Sequence, residues 1–60
     1  MSNVTDREVI DAMEQWGGSF AKALARAAVV ADGDNLKRIK ATWPDLWAKY
    51  AMMVKLAKKE

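Results

Sequence analysis

The sequence predicts an all-α fold, a small bundle of three to four short helices that self-associates. Apolar residues recur every three or four positions, which is helical spacing, and no segment alternates in the manner of a strand. Helix-stopping signals interrupt this pattern at Gly17-Gly18, Asp32-Gly33 and Trp43-Pro44. We therefore expect one domain over residues 1–60, with helices at about 5–16, 19–31, 35–42 and 44–58.

The first helix begins at a capping box. Thr5 and Glu8 have the spacing in which the threonine side chain accepts from the Glu8 amide while the glutamate reaches back. Gly17 is expected to end the helix in the left-handed conformation, which glycine adopts without steric cost. The apolar stripe between these signals comprises Val9, Ile10, Met13 and Trp16.

The second and third helices are separated by Asp32-Gly33, which ends one helix and can cap the next. Alanine dominates the second helix. Its apolar positions are Phe20, Ala23, Leu24, Ala27, Ala28, Val30 and Ala31. The third helix is basic on one side, with Lys37, Arg38 and Lys40, and apolar on the other, with Leu36, Ile39 and Trp43.

Pro44 starts the fourth helix, because proline suits a first helical turn and disfavours helical geometry in the residue before it. The main apolar stripe comprises Leu46, Trp47, Tyr50, Met53, Val54 and Ala57. Met52 and Leu56, four residues apart, form a second apolar strip outside it. Because 60 residues without cysteine make a marginal core, we expect a homodimer or higher oligomer that uses this strip.

Composition excludes several classes of chemistry. The chain has no histidine and no cysteine, so the ordinary Ser–His and Cys–His nucleophile pairs and thiolate metal sites cannot form. We therefore expect no enzyme, no cofactor and no metal site. Residues 1–20 carry four acidic side chains and one basic one, whereas residues 37–60 carry seven basic and two acidic ones. The two ends can attract each other, within one subunit or between subunits.

No membrane partner is expected, because no apolar run approaches the length of a membrane span. The first residues lack the basic segment followed by an apolar stretch that marks a signal peptide. A cytoplasmic location follows as the expectation.

A glycine-led helix followed by a turn and a basic helix resembles a helix-turn-helix of the Fis-like kind. The residues that carry the resemblance are Gly17-Gly18-Ser19, the turn at Asp32-Gly33 and the basic run at 36–40. It implies that Lys37, Arg38 and Lys40 contact DNA. Two features of the sequence differ from that motif. The second helix is some three or four residues too long, and Asp32 and Asp34 would repel phosphates. A small DNA-binding regulator is therefore the alternative function.

A second resemblance concerns most of the chain. The residues that carry it are Trp16-Gly17-Gly18-Ser19-Phe20, Ala23-Leu24, Ala27-Ala28, Ala31-Asp32, Asn35-Leu36, Arg38-Ile39-Lys40, Trp43-Pro44, Trp47 and Tyr50. Together they resemble a group of short helical phage and prophage proteins. The resemblance covers about residues 8–51 and assigns no site residue. It implies an accessory role in the host cell cytoplasm, such as interference with a host enzyme, a defence system or a host regulator.

The function that we expect is therefore binding of a host protein, without catalysis, by a homo-oligomer. Trp43 is the residue expected to anchor the partner, because it lies at a helix junction beside charges of both signs. Of the two tryptophans at this junction, Trp47 is expected to be the more deeply buried. The candidate partner-binding residues are Trp43, Lys40, Asp45, Met52 and Leu56. An oligomer that holds a small anionic ligand between lysine and arginine side chains stays open as a third hypothesis.

Overall fold

The computed structural model describes residues 4–58, and these residues form four helices and no strand, as the sequence predicts. The helices are α1 (Asp6–Trp16), α2 (Ser19–Val30), α3 (Gly33–Thr42) and α4 (Pro44–Lys58). None of the helices in this part of the chain combines the length and the apolar content required to cross a bilayer.

Two predicted caps set helix starts. The Glu8 amide donates to the Thr5 hydroxyl oxygen at 3.2 Å, and the Thr5 amide donates to the Glu8 carboxylate at 2.9 Å, which completes the capping box of α1. At α3 the Asn35 amide donates to the Asp32 carboxylate at 2.9 Å. Because Asp32 is the cap, α3 begins at Gly33, two residues before the predicted start at 35. Each cap stabilises its helix by about 1 kcal/mol.

The core lies on the two sides of α1, which packs against α2 and α4. Each helix that contacts α1 contributes one buried face. Trp47 is 9% exposed and Trp43 is 38% exposed, which confirms that Trp47 is the more buried of the two. The buried side chains are Val9, Ile10, Ala12, Met13, Ala21, Leu24, Ala25, Ala28, Trp47, Tyr50 and Val54.

Gly17 is required for a different reason from the predicted one. Its backbone is extended, with φ −81° and ψ 161°, and no glycine among residues 4–58 has a positive φ. A Cβ atom at this position would lie 2.5 Å from both the Ala21 Cβ and the Met13 carbonyl oxygen. The left-handed cap was therefore wrong, and the absence of a side chain is what lets α2 turn back closely against the end of α1.

Only some of the apolar positions of α2 are buried. Leu24 and Ala28 are buried, but Phe20 and Val30 are 57% and 83% exposed, and Ala23 and Ala27 are exposed as well. The face that contacts α1 contains Ala21, Leu24, Ala25 and Ala28. Because α2 is apolar on nearly all sides, spacing alone does not decide which side packs, and the side rich in alanine allows the closer approach to α1. Trp16, a member of the apolar stripe predicted for the first helix, is half exposed.

Candidate interaction surface

An aromatic pair joins the start of α2 to the junction of α3 and α4. The rings of Phe20 and Trp43 lie edge to face, with centroids 5.6 Å apart and planes at 67°. The Trp43 amide donates to the Ile39 carbonyl at 3.0 Å, and the Trp43 carbonyl accepts from the Trp47 amide at 3.1 Å. Trp43 is thus held by the end of one helix and the start of the next, while its ring and that of Phe20 remain partly open to solvent.

Phe20 begins a continuous apolar surface along α2. We call this surface the α2 face and define it as Phe20, Ala23, Ala27 and Val30, all of which are exposed. These four positions recur at intervals of three and four residues, so they share one side of the helix. Trp43 lies against one end of the face. Beside the face, between α2 and α3, runs an open groove of about 370 Å³, lined by Ala27, Val30, Ala31, Asn35, Arg38 and Ile39.

Lys40, a candidate for both partner and DNA contacts, makes contacts within the chain. Its Nζ lies 3.0 and 3.1 Å from the two carboxylate oxygens of Asp6 and 5.8 Å from the centroid of the Trp47 ring. These contacts tie α3 to the first turn of α1. Of the predicted DNA-contacting residues, Lys37 and Arg38 are exposed on α3, whereas Lys40 is only partly exposed.

A second apolar surface lies on the outer side of α4. Met52 and Leu56, here called the α4 strip, are 54% and 63% exposed. They lie on the side of α4 opposite Trp47, Tyr50 and Val54, which confirms that the strip is separate from the main stripe. Asp45 precedes Met52 by seven residues and therefore lies on the same outer side.

The five predicted partner-binding residues thus occupy three places. Trp43 lies with Phe20 at the end of the α2 face. Lys40 lies with Asp6 and Trp47. The remaining three, Asp45, Met52 and Leu56, are on the outer side of α4.

Opposite charges at the two ends of the chain meet within the subunit. Lys58 Nζ lies 2.7 Å from a Glu8 carboxylate oxygen, which ties the end of α4 to the first turn of α1. The hydrogen bond from Lys58, assisted by that from the Thr5 amide, lowers the pKa of Glu8 below its ordinary value. On the other side of α1, Arg26 Nε of α2 lies 3.8 Å from a Glu14 carboxylate oxygen. Exposed pairs of this kind each contribute little to stability.

Sequence reasoning missed Phe20 and Val30 as surface residues. The signal that identifies them is composition, since the twelve residues of α2 include only two charged ones, Lys22 and Arg26. A helix that is apolar on nearly all sides is normally covered on nearly all sides. In this subunit α2 packs on α1 and more loosely on α3, so part of its apolar surface stays uncovered.

Residues 4–58 contain no group of three acidic side chains placed to hold a metal ion.

No known protein family, curated protein or solved structure matches the chain.

Proposed function

We propose that this chain is a non-catalytic accessory protein of the phage type that acts by binding another protein, as a homo-oligomer. The observation that carries the proposal is apolar surface left uncovered on two separate helices. The exposed large apolar side chains in residues 4–58 are Trp16, Phe20, Val29, Val30, Trp43, Met52 and Leu56. Contiguous exposed apolar patches are characteristic of interaction sites.

Two separate surfaces suit two separate contacts. The α2 face is long and nearly uncharged, which favours a contact between identical subunits. The α4 strip is narrower and is flanked by Asp45, Lys49 and Lys55, so it has the apolar centre and charged rim of a reversible contact. Met52 and Leu56 at i and i+4 fit the mode in which one side of a helix enters an apolar groove of the partner.

The experiment is affinity capture followed by reconstitution. Tagged protein is incubated with nuclease-treated lysate of the host cell, and a captured protein is then purified and its affinity for the chain measured. Met52→Ser combined with Leu56→Ser should abolish both capture and reconstituted binding. Val29→Ser is the matched control, because Val29 is 56% exposed and lies outside both apolar surfaces. Binding that survives the double change, or is absent for the unmodified chain, contradicts the proposal.

Duplex DNA is the second candidate ligand, favoured by the exposure of Lys37 and Arg38 on α3. Asp32 and Asp34 at the start of α3 oppose it, because they would approach the phosphates first. We expect weak, non-specific binding or none at physiological salt. A sequence-selective, nanomolar gel shift that weakens steeply with salt, and changes its preference with Arg38→Ala, would favour the regulator instead.

A further inference from the structure

The α2 face has the same order of side-chain sizes when read in either direction. Its two large residues, Phe20 and Val30, are each five positions from Ala25, and its two small ones, Ala23 and Ala27, are each two positions from it. We propose that the α2 face is the dimer interface of this protein and that its occupant is the α2 face of a second copy, antiparallel to the first. The proposal rests on the binding function proposed above and assigns one of its two surfaces.

A two-fold axis on the exposed side of α2, at the level of Ala25 along the helix, brings matching positions together. Phe20 of one subunit then packs against the partner's Val30, and Ala23 packs against the partner's Ala27. The alanines at the centre allow the two helices to approach at the short end of the usual range of about 8–10 Å. The larger side chains at the ends fill the space where the crossing helices diverge. Each subunit contributes the same patch, as a two-fold interface requires.

Charge placement is compatible with this arrangement. The cations of α2, Lys22 and Arg26, lie at the levels of the partner's Ala28 and Leu24, and neither belongs to the α2 face. Arg26 lies 3.8 Å from Glu14 of its own subunit. The two-fold axis therefore places Arg26 and Glu14 of both subunits along one edge of the interface. The charges of these four side chains cancel, and each arginine can pair with either carboxylate.

The available area predicts a modest affinity. A stable dimer buries about 800 Å² per subunit, whereas the whole subunit exposes 4418 Å². The twelve residues of α2 extend about 18 Å, so one helix face supplies only part of this area. Trp43 beside Phe20, and the α3 side of the groove beside Val30, supply more. We therefore expect a dissociation constant in the micromolar range, about 1–100 µM, rather than a nanomolar one.

Sedimentation velocity over about 1–500 µM protein tests whether the dimer forms. Val30→Lys should raise the dissociation constant at least about tenfold, because it places an ammonium group in an apolar contact. This variant should remain folded, since Val30 is 83% exposed and a lysine at the last position of α2 suits the helix dipole. Met52→Lys makes the same chemical change on the α4 strip and should leave the dimer unchanged.

Cysteine cross-linking tests the register, because the natural chain contains no cysteine. Ala23→Cys and Ala27→Cys are prepared as single variants and mixed under mild oxidation. Antiparallel pairing predicts that the mixed disulfide forms faster than either symmetric one. A preference for the symmetric disulfides would show a different register and overturn the proposal.

The remaining outcomes separate this inference from the proposed function. A chain that stays monomeric at 500 µM has no α2 dimer, yet capture of another protein through the α4 strip still supports the binding function. A dimer lost on Met52→Lys but kept on Val30→Lys places the subunit contact on α4 and overturns the assignment made here. A dimer that behaves as predicted without any captured protein supports the interface and contradicts the wider function.

Discussion

Gly17→Ala tests the close approach between the end of α1 and the start of α2. An alanine Cβ would lie 2.5 Å from the Ala21 Cβ, 2.5 Å from the Met13 carbonyl oxygen and 3.2 Å from the Tyr50 hydroxyl. Two of these neighbours cannot withdraw easily. The Met13 carbonyl is fixed because it accepts the Gly17 amide at 3.0 Å, and Ala21 is buried against α1.

The expected magnitude follows from two opposing effects. Overpacking of this kind usually costs about 1–3 kcal/mol. The alanine backbone is compatible with φ −81° and ψ 161°, so conformation adds no penalty, and the reduced freedom of the unfolded chain returns about 0.4–1 kcal/mol. We therefore expect a net loss of about 1–2 kcal/mol in the free energy of unfolding. For a domain of this size that loss lowers the melting temperature by about 4–16 °C.

The assay is thermal and urea unfolding at one fixed protein concentration. Gly33→Ala is the matched control, because a Cβ at Gly33 meets nothing within 4 Å and the residue is the first of α3. This change should stabilise the protein by about 0.5–1 kcal/mol. The two identical substitutions should thus have opposite signs. A Gly17→Ala protein as stable as the unmodified one would refute the steric argument.

The remaining predictions concern Trp47, Trp43 and Glu8. Trp47→Ala should lower the free energy of unfolding by about 3–5 kcal/mol, as for other buried aromatic residues. Trp43→Ala should lower it clearly less. Melting curves of the two variants compare these losses directly. Equal losses would make Trp43 an ordinary core residue and remove it from the α2 interface. The hydrogen bond from Lys58 lowers the pKa of Glu8 in the folded protein. The ionised carboxylate therefore stabilises the fold at any pH above the ordinary glutamate pKa. This stabilisation is lost as the pH falls through the lowered pKa of the folded state. Glu8→Gln should therefore melt below the unmodified protein at pH 7, and the difference should close as the pH falls below about 4; a difference that is constant with pH would contradict the assignment.

The helices were largely predictable because their boundaries depend on local chemistry. The capping box at Thr5 and Glu8, the carboxylate of Asp32 and the ring of Pro44 each act within a few residues of the helix start that they set. The start of α3 differed from the prediction by only two residues. The separate apolar strip of Met52 and Leu56 was also predictable, because helical periodicity fixes the angle between positions on one helix.

The surface was less predictable because it depends on contacts between distant segments. Periodicity shows that α2 has apolar residues on several sides, but the choice of the side that packs depends on the shape of α1, so the exposure of Phe20 could not be predicted. Lys40 could not be matched with Asp6, since 34 residues separate them. The same limit applies to the contact between Gly17 and Ala21, which arises only when α2 folds back on α1.

The position of α1 between α2 and α4 has a consequence for the order of folding. The α1–α2 hairpin closes over only Gly17 and Gly18, whereas docking of α4 onto α1 must close a loop that contains both α2 and α3. Loop-closure entropy favours the hairpin first and the α4 contact later. Changes such as Gly17→Ala should then slow refolding, whereas loss of the Glu8–Lys58 pair should mainly accelerate unfolding. Stopped-flow refolding and unfolding, followed by tryptophan fluorescence, would separate the two effects.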